Sequence, residues 1–271
     1  MQENSRQPVI DFHVHAFPDA LAARALEALY QGLPELKAYT DATLSGVLAS
    51  MDAASIERSV ICSIATKPAQ FDPILSWSQE IQSKRIMALP SVHPADPAML
   101  EQVRHIKALG FKGIKMHPYY QEFYLDEPRM MQLYEVVTQE DLILVMHTGF
   151  DIAFPRERRA DPPKILDVCR QFPQLKLVTT HLGAWDLWDE VERFLVGQPI
   201  RMEISLALDF LSSEQARRIL LNHPVEYLLF GTDSPWSDQS ETLRKFQALD
   251  LPMDRCEAIL SVNATKLLGF F

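Results

Sequence analysis

The sequence predicts a (β/α)8 barrel, and two features of the chain indicate this fold. Eight short apolar runs, rich in Val, Ile and Leu, alternate with amphipathic stretches. Most of these runs are apolar on both faces, which suits parallel strands covered on both sides. A chain of 271 residues also fits one such barrel, so we expect a single domain over residues 1–271. The predicted strands are Val9–Phe17, Ser59–Ala65, Ile86–Pro94, Phe111–Pro118, Leu142–Gly149, Lys176–Gly183, Ile200–Ala207 and Tyr227–Pro235.

Helical signals lie between the predicted strands. Residues 96–109 carry apolar side chains at helical spacing. Asp126 is expected to cap a helix with Pro128 in its first turn, and Ser212 is expected to cap another. The connection from Ala16 to Arg58 is the longest, so we expect it to carry an extra helix or a lid over the barrel mouth.

Charge and composition disfavour several classes of partner. The formal net charge of −10 opposes binding to the phosphate backbone of nucleic acids. No run approaches the roughly 18 uninterrupted apolar residues that a membrane span needs, and the first eight residues lack the apolar core of a signal peptide. Cys62, Cys169 and Cys256 are far apart and odd in number, as expected for reduced thiols. These features predict a cytoplasmic protein that binds neither nucleic acid nor a membrane.

Histidines and one aspartate recur where the predicted strands end. In a β/α barrel, the carboxyl ends of the strands surround one shared pocket, which is where active sites lie. Residues that are distant in the chain would therefore meet there. The residues at or beside these ends are His13, His15, His117, His147, His181 and Asp233. The other histidines, His93, His105 and His223, are expected to be ordinary structural residues.

Alternation along strand 1 indicates a metal site. His13 and His15 face the barrel interior together if either does, and Asp11 shares that face one layer deeper. Imidazole nitrogens combined with a carboxylate suit Zn2+, with Mn2+ or Fe2+ as competitors. Three histidines and one aspartate would leave room for a water, whose pKa the metal would lower. The sequence therefore predicts a divalent metal, with zinc favoured.

Six segments carry a family resemblance. Asp11–His15, after a short N-terminus, resembles the opening of the amidohydrolase superfamily. The segments that look like its amidohydrolase-related branch, which includes aminocarboxymuconate-semialdehyde decarboxylase, are Gly113–Pro118, His147–Gly149, His181–Gly183, Gly231–Trp236 and Ile259–Leu268. The resemblance covers nearly the whole chain. It implies a metal-dependent TIM-barrel hydrolase with a small-molecule substrate and leaves the identity of that substrate open. This class of protein also suggests a homodimer.

The same resemblance implies a role for each strand-end residue. His13 and His15 match the metal ligands of strand 1, and His147 matches the ligand of strand 5. Asp233 matches the strand 8 residue that touches the metal and handles the proton of the attacking water. His181 matches a histidine that is an acid/base or substrate-polarising group in relatives with one metal. In relatives with two metals, that histidine binds the second ion.

Strand 4 bears on the choice between one metal and two. Relatives with two metals place a carboxylated lysine or a glutamate there, and Lys115 lies on this strand beside His117. A carboxylated Lys115 would bridge two ions, whereas a plain ammonium would pair with Asp11, Glu203 or a substrate carboxylate. We favour one metal, because the branch usually has one. His117 is then a substrate or supporting group, or a buried turn residue. Glu203 is expected to orient Lys115 or a ligand histidine, or to form a structural ion pair.

Aromatic side chains follow the predicted strands and are expected to form the pocket rim. Loops after barrel strands build substrate pockets, so a planar or partly apolar substrate is expected, although these side chains could simply cover the barrel top. They are Tyr119, Tyr120, Phe123, Phe150, Phe154, Trp185 and Trp236. Arg156, Arg158 and Arg159 follow strand 5. One of them could clamp a substrate carboxylate, or all three could be solvated.

Three functions fit these residues. The favoured one is hydrolysis of an amide, lactone or other ester by metal-activated water. Asp233 would transfer protons, and His181 would polarise the carbonyl or stabilise the oxyanion. The second is non-oxidative decarboxylation of an unsaturated or aromatic acid by the same residues. The third is a barrel that binds metal or ligand without turnover, which a general base beside an open metal position disfavours.

Overall fold

The computed structural model of the chain describes residues 8–30 and 37–269, which form an α/β barrel. The strands are β1 (Ile10–Val14), β2 (Arg58–Cys62), β3 (Ile86–Leu89), β4 (Gly113–Met116), β5 (Ile143–Met146), β6 (Lys176–Thr179), β7 (Arg201–Glu203) and β8 (Leu228–Leu229). The polar N-terminal segment, on which the prediction of no signal peptide rests, falls almost wholly at residues 1–7, outside the described ranges.

Two parallel ladders close into one barrel. β1, β2 and β3 pair in the first ladder, and β4 to β8 pair in the second. At one seam, the Lys115 N–H donates to the Pro90 carbonyl over 2.9 Å. At the other, the Phe12 N–H donates to the Phe230 carbonyl, also over 2.9 Å. Because both seams are bridged, all the strand ends surround one interior, and the predicted (β/α)8 barrel is confirmed.

Helices cover the outside of the barrel. They are α1 (Asp19–Tyr30), α2 (Leu44–Ala54), α3 (Phe71–Ile81), α4 (Met99–Ala108), α5 (Pro128–Gln139), α6 (Pro162–Gln171), α7 (Trp188–Phe194), α8 (Ala207–Phe210), α9 (Ser213–Asn222), α10 (Gln239–Gln247), α11 (Met253–Glu257) and α12 (Asn263–Leu268). Within the described part of the chain, none of them is long and apolar enough to cross a bilayer. The connection between β1 and β2 contains two helices, α1 and α2, so the extra helix expected there is present. Residues 31–36 of this connection lie outside the described ranges.

Two predicted helix caps have different outcomes. Ser212 caps α9 as expected, because its hydroxyl accepts the Gln215 N–H over 3.1 Å. The cap of α5 is Glu127 and not Asp126, which corrects the prediction. The reason is Pro128, since a proline at the first helical position forces the residue before it into extended backbone.

All eight predicted strands are present, but each ends earlier than predicted at its carboxyl end. The residues that follow the paired segments lie in loops, although their apolar composition predicted that the strands would continue. His181 and Asp233 adopt left-handed backbone, with φ of +57° and +65°. That conformation cannot continue a strand. The site residues therefore lie in and just beyond the ladder.

His223 is buried away from the strand ends. Its Nε2–H donates to the Ile200 carbonyl over 2.8 Å. Burial lowers the pKa of His223 from 6.5 to about 4, against the opposing effect of this hydrogen bond. The ring is therefore neutral in the folded protein at pH values where it is already charged in the unfolded chain.

We expect His223→Gln to flatten the pH dependence of stability. In the wild type, the unfolded chain binds a proton near pH 6.5 and the folded protein does so only near pH 4. Stability is therefore lost as the pH falls through this window. Between pH 7 and 4.5 the histidine should account for about 2 kcal/mol of lost stability. Urea unfolding of both proteins at the two pH values measures this, and equal losses would contradict it.

Candidate active site

The carboxyl ends of the strands open into a cavity of about 620 Å³. The histidines, acidic residues and lysine of its lining are His13, His15, Lys115, His117, His147, Asp151, His181 and Asp233. All of them except Asp151 were predicted as site residues from the sequence. The barrel thus brings side chains from five strands to one cavity.

His13, His15 and Asp233 form a tight cluster in this cavity. The two Nε2 atoms of the histidines lie 3.1 Å apart. Oδ1 of Asp233 lies 3.3 Å from Nε2 of His13 and 3.0 Å from Nε2 of His15. The Asp233 N–H also donates to the His13 carbonyl over 2.8 Å, which holds the segment after β8 against β1. Three predicted metal ligands therefore meet at one point.

The outer nitrogens of both imidazoles face oxygen atoms. Nδ1 of His15 lies 2.8 Å from the Cys62 carbonyl oxygen, which can only accept a hydrogen bond. Nδ1 of His13 lies 3.0 Å from Oε1 of Glu203. Each ring therefore carries its hydrogen on Nδ1 and has a lone pair on Nε2. Both lone pairs belong to the atoms that face Asp233, an arrangement that suits a bound cation.

Glu203, which ends β7, is buried and orients His13. Its Oε1 accepts the Ser205 hydroxyl and its Oε2 accepts the Ser205 N–H, each over 2.7 Å. Burial raises the pKa of Glu203 to about 8, against the opposing effect of these two hydrogen bonds. Its Oε1 also accepts the Nδ1–H of His13 over 3.0 Å, so the neutral ring keeps its lone pair on Nε2. A Cβ at Gly231 would lie 2.3 Å from Oε2 of Glu203, so a glycine is needed there.

Ligand atoms at these separations fit a divalent metal. Bonds of about 2.0–2.1 Å from a tetrahedral metal to nitrogen and oxygen place neighbouring ligand atoms about 3.3 Å apart. The observed separations in the cluster are 3.0, 3.1 and 3.3 Å. Two neutral imidazoles and one carboxylate are also the ligand types that zinc and similar metals prefer.

His147 and His181 present a second pair of facing nitrogens. Nδ1 of His147 lies 3.0 Å from Nε2 of His181. The opposite nitrogens face carbonyl oxygens, at 2.9 Å from Phe150 and 3.1 Å from Ser205, so both rings donate outward. Burial lowers the pKa of His181 to about 4 and the pKa of His147 well below 6.5. Two lone pairs therefore face each other, which a nearby metal ion would stabilise.

The predicted fourth ligand, His147, lies outside the tight cluster. The structure groups it with His117 and Asp151, whose candidate ligand atoms lie within 4.8 Å of one another. Oδ2 of Asp151 is 3.3 Å from Nε2 of His117, and the His117 ring stacks on the His147 ring at 4.0 Å between centroids. Asp151 was not among the site residues predicted from the sequence. Its place in the loop after β5, four residues beyond His147, is the signal that could have identified it.

Lys115 is fully buried beside the cluster. Its Nζ lies 3.1 Å from Nε2 of His13. Burial lowers the pKa of Lys115 below 10.5. Asp11, one of its predicted partners, instead accepts hydrogen bonds from the Thr232 hydroxyl at 2.6 Å and the Gln239 amide at 2.7 Å. Asp11 is therefore a structural residue that ties β1 to the segment after β8.

The aromatic residues divide into two groups. Those that line the cavity as predicted are Tyr120, Trp185 and Trp236. Tyr119 and Phe150 lie elsewhere. The Tyr119 hydroxyl is buried and donates to the Gly149 carbonyl over 3.1 Å. The Phe150 ring lies under the Arg156 guanidinium, 4.0 Å from its carbon atom.

The arginines after β5 are engaged in ion pairs. Arg156, Arg158 and Arg159 pair with Asp186, Glu190 and Glu157, respectively. No arginine is among the described residues that line the cavity. The structure therefore gives no support to a carboxylate clamp built from these residues.

The family model for amidohydrolases matches residues 10–270. The chain belongs to the amidohydrolase family. This confirms the resemblance that the motifs indicated, and it identifies the protein as a metal-dependent enzyme with residues able to hold the metal. None of the curated proteins matches this amidohydrolase.

Solved structures share the fold of this amidohydrolase at low identity. An uncharacterised TIM-barrel protein from Bordetella bronchiseptica is 20% identical with a TM-score of 0.74, over 97% of this chain and 98% of its own. The 5-carboxyvanillate decarboxylase from Novosphingobium aromaticivorans, complexed with manganese and 4-hydroxy-3-methoxy-5-nitrobenzoic acid, is 15% identical with a TM-score of 0.72, over 97% and 96%. A probable 2-pyrone-4,6-dicarboxylic acid hydrolase from Acinetobacter baumannii, with citric acid bound, is 14% identical with a TM-score of 0.67, over 97% and 99%. At these identities the likeness shows the barrel fold alone.

Proposed function

We propose that this amidohydrolase hydrolyses a neutral carbonyl compound, either a lactone, another ester or an amide, with one zinc ion. The observation that carries the proposal is the cluster of His13, His15 and Asp233, with both lone pairs and the carboxylate directed at one point. The family resemblance adds His147 as a fourth ligand, through the Nδ1 lone pair. Bound zinc would supply Lewis acidity toward water and the substrate carbonyl.

Asp233 is suited to accept the proton of the attacking water. Burial raises the pKa of Asp233, but the nearby His15, His181 and Lys115 outweigh it, so the pKa lies below 3.8. The carboxylate is therefore ionised at neutral pH. After taking the proton, it can pass it to the leaving group, which is general base and then general acid catalysis by one residue.

Among the roles that the family resemblance implies for His181, the geometry favours two over polarising the substrate carbonyl. Polarising a carbonyl requires an N–H that points into the cavity. The Nδ1–H of His181 is held 3.1 Å from the Ser205 carbonyl, so its Nε2 presents a lone pair instead. We assign His181 to accepting a proton or a second metal ion.

The charges of the cavity are compatible with both hydrolysis and decarboxylation. Asp151 and Asp233 line it together with one cationic side chain, Lys115, among the described residues. A bound divalent metal would offset the two carboxylates, so either a neutral carbonyl compound or a carboxylic acid would fit there. Decarboxylation is the second candidate, because a decarboxylase that binds manganese shares this fold.

A metal assay followed by an activity screen tests the proposal. We expect one equivalent of zinc per chain by mass spectrometry. A second equivalent would assign the His147–His181 pair and a carboxylated Lys115 to another ion. The absence of any stoichiometric transition metal would contradict both candidate reactions, hydrolysis and decarboxylation.

The screen separates the two reactions. Lactones, esters, amides and aromatic acids are offered in water enriched in oxygen-18. Hydrolysis should place one labelled oxygen in the product acid. Release of CO2 from an aromatic acid, with no label in the remaining product, would establish decarboxylation instead.

A further inference from the structure

The cavity has a polar floor and apolar walls. The floor is formed by the strand-end histidines, Lys115 and Asp233. The walls that rise from it toward solvent include Ile64, Ile74, Trp77, Ile152, Leu206 and Trp236. No lysine or arginine other than Lys115 lies among the described lining residues. A molecule that reaches the floor therefore passes, and remains against, a mainly apolar surface.

One wall is an apolar face of helix α1. Leu21, Ala25, Ala28 and Leu29 line the cavity, and we call them the α1 stripe. Their spacing of four, three and one residues places them on a single face of the helix. The opposite face is exposed and includes Ala23 and Glu27. An amphipathic helix commonly turns its apolar face to the protein core. Here this face is turned to the cavity instead.

Large apolar side chains remain exposed where the cavity meets solvent. Leu21 of the α1 stripe is 50% exposed, and Ile152 in the loop after β5 is 55% exposed. A single exposed aliphatic residue is ordinary on a protein surface. Leu21 and Ile152, however, line the same cavity, and the walls beneath them are also apolar. This arrangement indicates a surface that a ligand covers.

We propose that the substrate carries an extended apolar group, an alkyl chain or aryl ring, that lies against the α1 stripe and Ile152 while the carbonyl reaches the floor. The position of the carbonyl rests on the proposed function. The binding of the apolar group against the α1 stripe does not depend on whether the enzyme hydrolyses the molecule. Burying each methylene group contributes about 0.8 kcal/mol, so a chain of several carbons would contribute substantially to binding.

Binding of alcohols to the zinc-loaded enzyme tests this inference without chemistry. The neutral fluorophore N-phenyl-1-naphthylamine serves as the probe, and primary alcohols from butanol to decanol displace it. We expect the Kd of the alcohols to fall about fourfold with each added methylene until the cavity is filled. Alcohol affinities that do not change with chain length would overturn the inference.

Matched variants on α1 locate the binding surface. Ala28→Trp fills the space beside the stripe and should weaken decanol binding at least tenfold. Ala23→Trp adds the same side chain on the exposed opposite face of the helix and should leave Kd within twofold of the wild type. Equal effects of the two variants would overturn the assignment.

A second variant keeps the test decisive if Ala28→Trp does not fold. Ile152→Ser lies in an exposed loop on another wall, so the fold should tolerate it. It should weaken decanol by about tenfold and butanol much less, because only the longer chain reaches this residue. Equal weakening of both alcohols would count against the inference.

The outcomes separate this inference from the proposed function. An enzyme that binds decanol tightly and hydrolyses nothing would refute only the hydrolase proposal. An enzyme that hydrolyses short polar lactones as fast as long-chain ones, and binds alcohols weakly at every length, would refute only the apolar-group proposal.

Discussion

Asp233→Asn should lower kcat by about three orders of magnitude, because an amide cannot take the proton of the attacking water. The fold should persist, since Asp233 has φ of +65° and Asn tolerates left-handed backbone as well as Asp does. The measurement is kcat on the best substrate from the screen, together with the zinc content of the variant. Loss of kcat with zinc retained identifies a lost base, whereas loss of both identifies a lost ligand.

Asp186→Asn is the matched control for this variant. Asp186 also has left-handed backbone, with φ of +53°, and its carboxylate pairs with Arg156 at the surface. We expect it to change kcat less than twofold. If Asp233→Asn turned over at the wild-type rate, the proton-transfer role of Asp233 would be wrong.

Glu203→Gln should weaken zinc binding by about 10–100-fold, although Glu203 is not among the proposed metal ligands. The carboxylate holds the hydrogen of His13 on Nδ1 and so leaves the Nε2 lone pair for the metal. Glutamine can turn its NH2 group toward Nδ1, and the ring hydrogen would then move to Nε2. Competition with a chromogenic chelator measures the zinc Kd directly.

Glu190→Gln provides the control for the same chemical change. Glu190 pairs with Arg158 at the surface, 2.6 Å away, and contacts none of the strand-end histidines. Its zinc Kd should equal that of the wild type. Unchanged zinc affinity in Glu203→Gln would show that the Glu203–His13 contact supports only the fold.

The barrel and the candidate metal site could be predicted from the sequence for the same physical reason. Parallel strands buried on both faces are recognisable as apolar runs, and their carboxyl ends meet at one side of the barrel. His13 and His15 are two residues apart on β1, so alternation alone places them together. Asp233 follows β8, which is the neighbour of β1, and the Phe12–Phe230 hydrogen bond makes that closure visible.

Features that depend on loops were beyond sequence reasoning. The identity of the donating ring nitrogens follows from where the carbonyl groups of Cys62, Phe150 and Ser205 point, and no local pattern encodes that. The α1 stripe lies in a connection whose path is set by packing against the barrel top. The strand ends were misplaced because apolar residues continue past the last ladder hydrogen bond.

The left-handed backbone at the site has a consequence for the evolution of this barrel. His181, Leu182 and Asp233 all have positive φ, from +54° to +65°, a region that favours glycine. Such residues cost of order 1 kcal/mol or more each, so a glycine at any of them would relax the chain. Mutational drift screened only for thermal stability would therefore tend to remove His181 and Asp233, two residues of the proposed catalytic site. Sustained selection for turnover would be needed to keep these residues in the segments after β6 and β8, because their replacement by glycine would give a more stable but inactive protein.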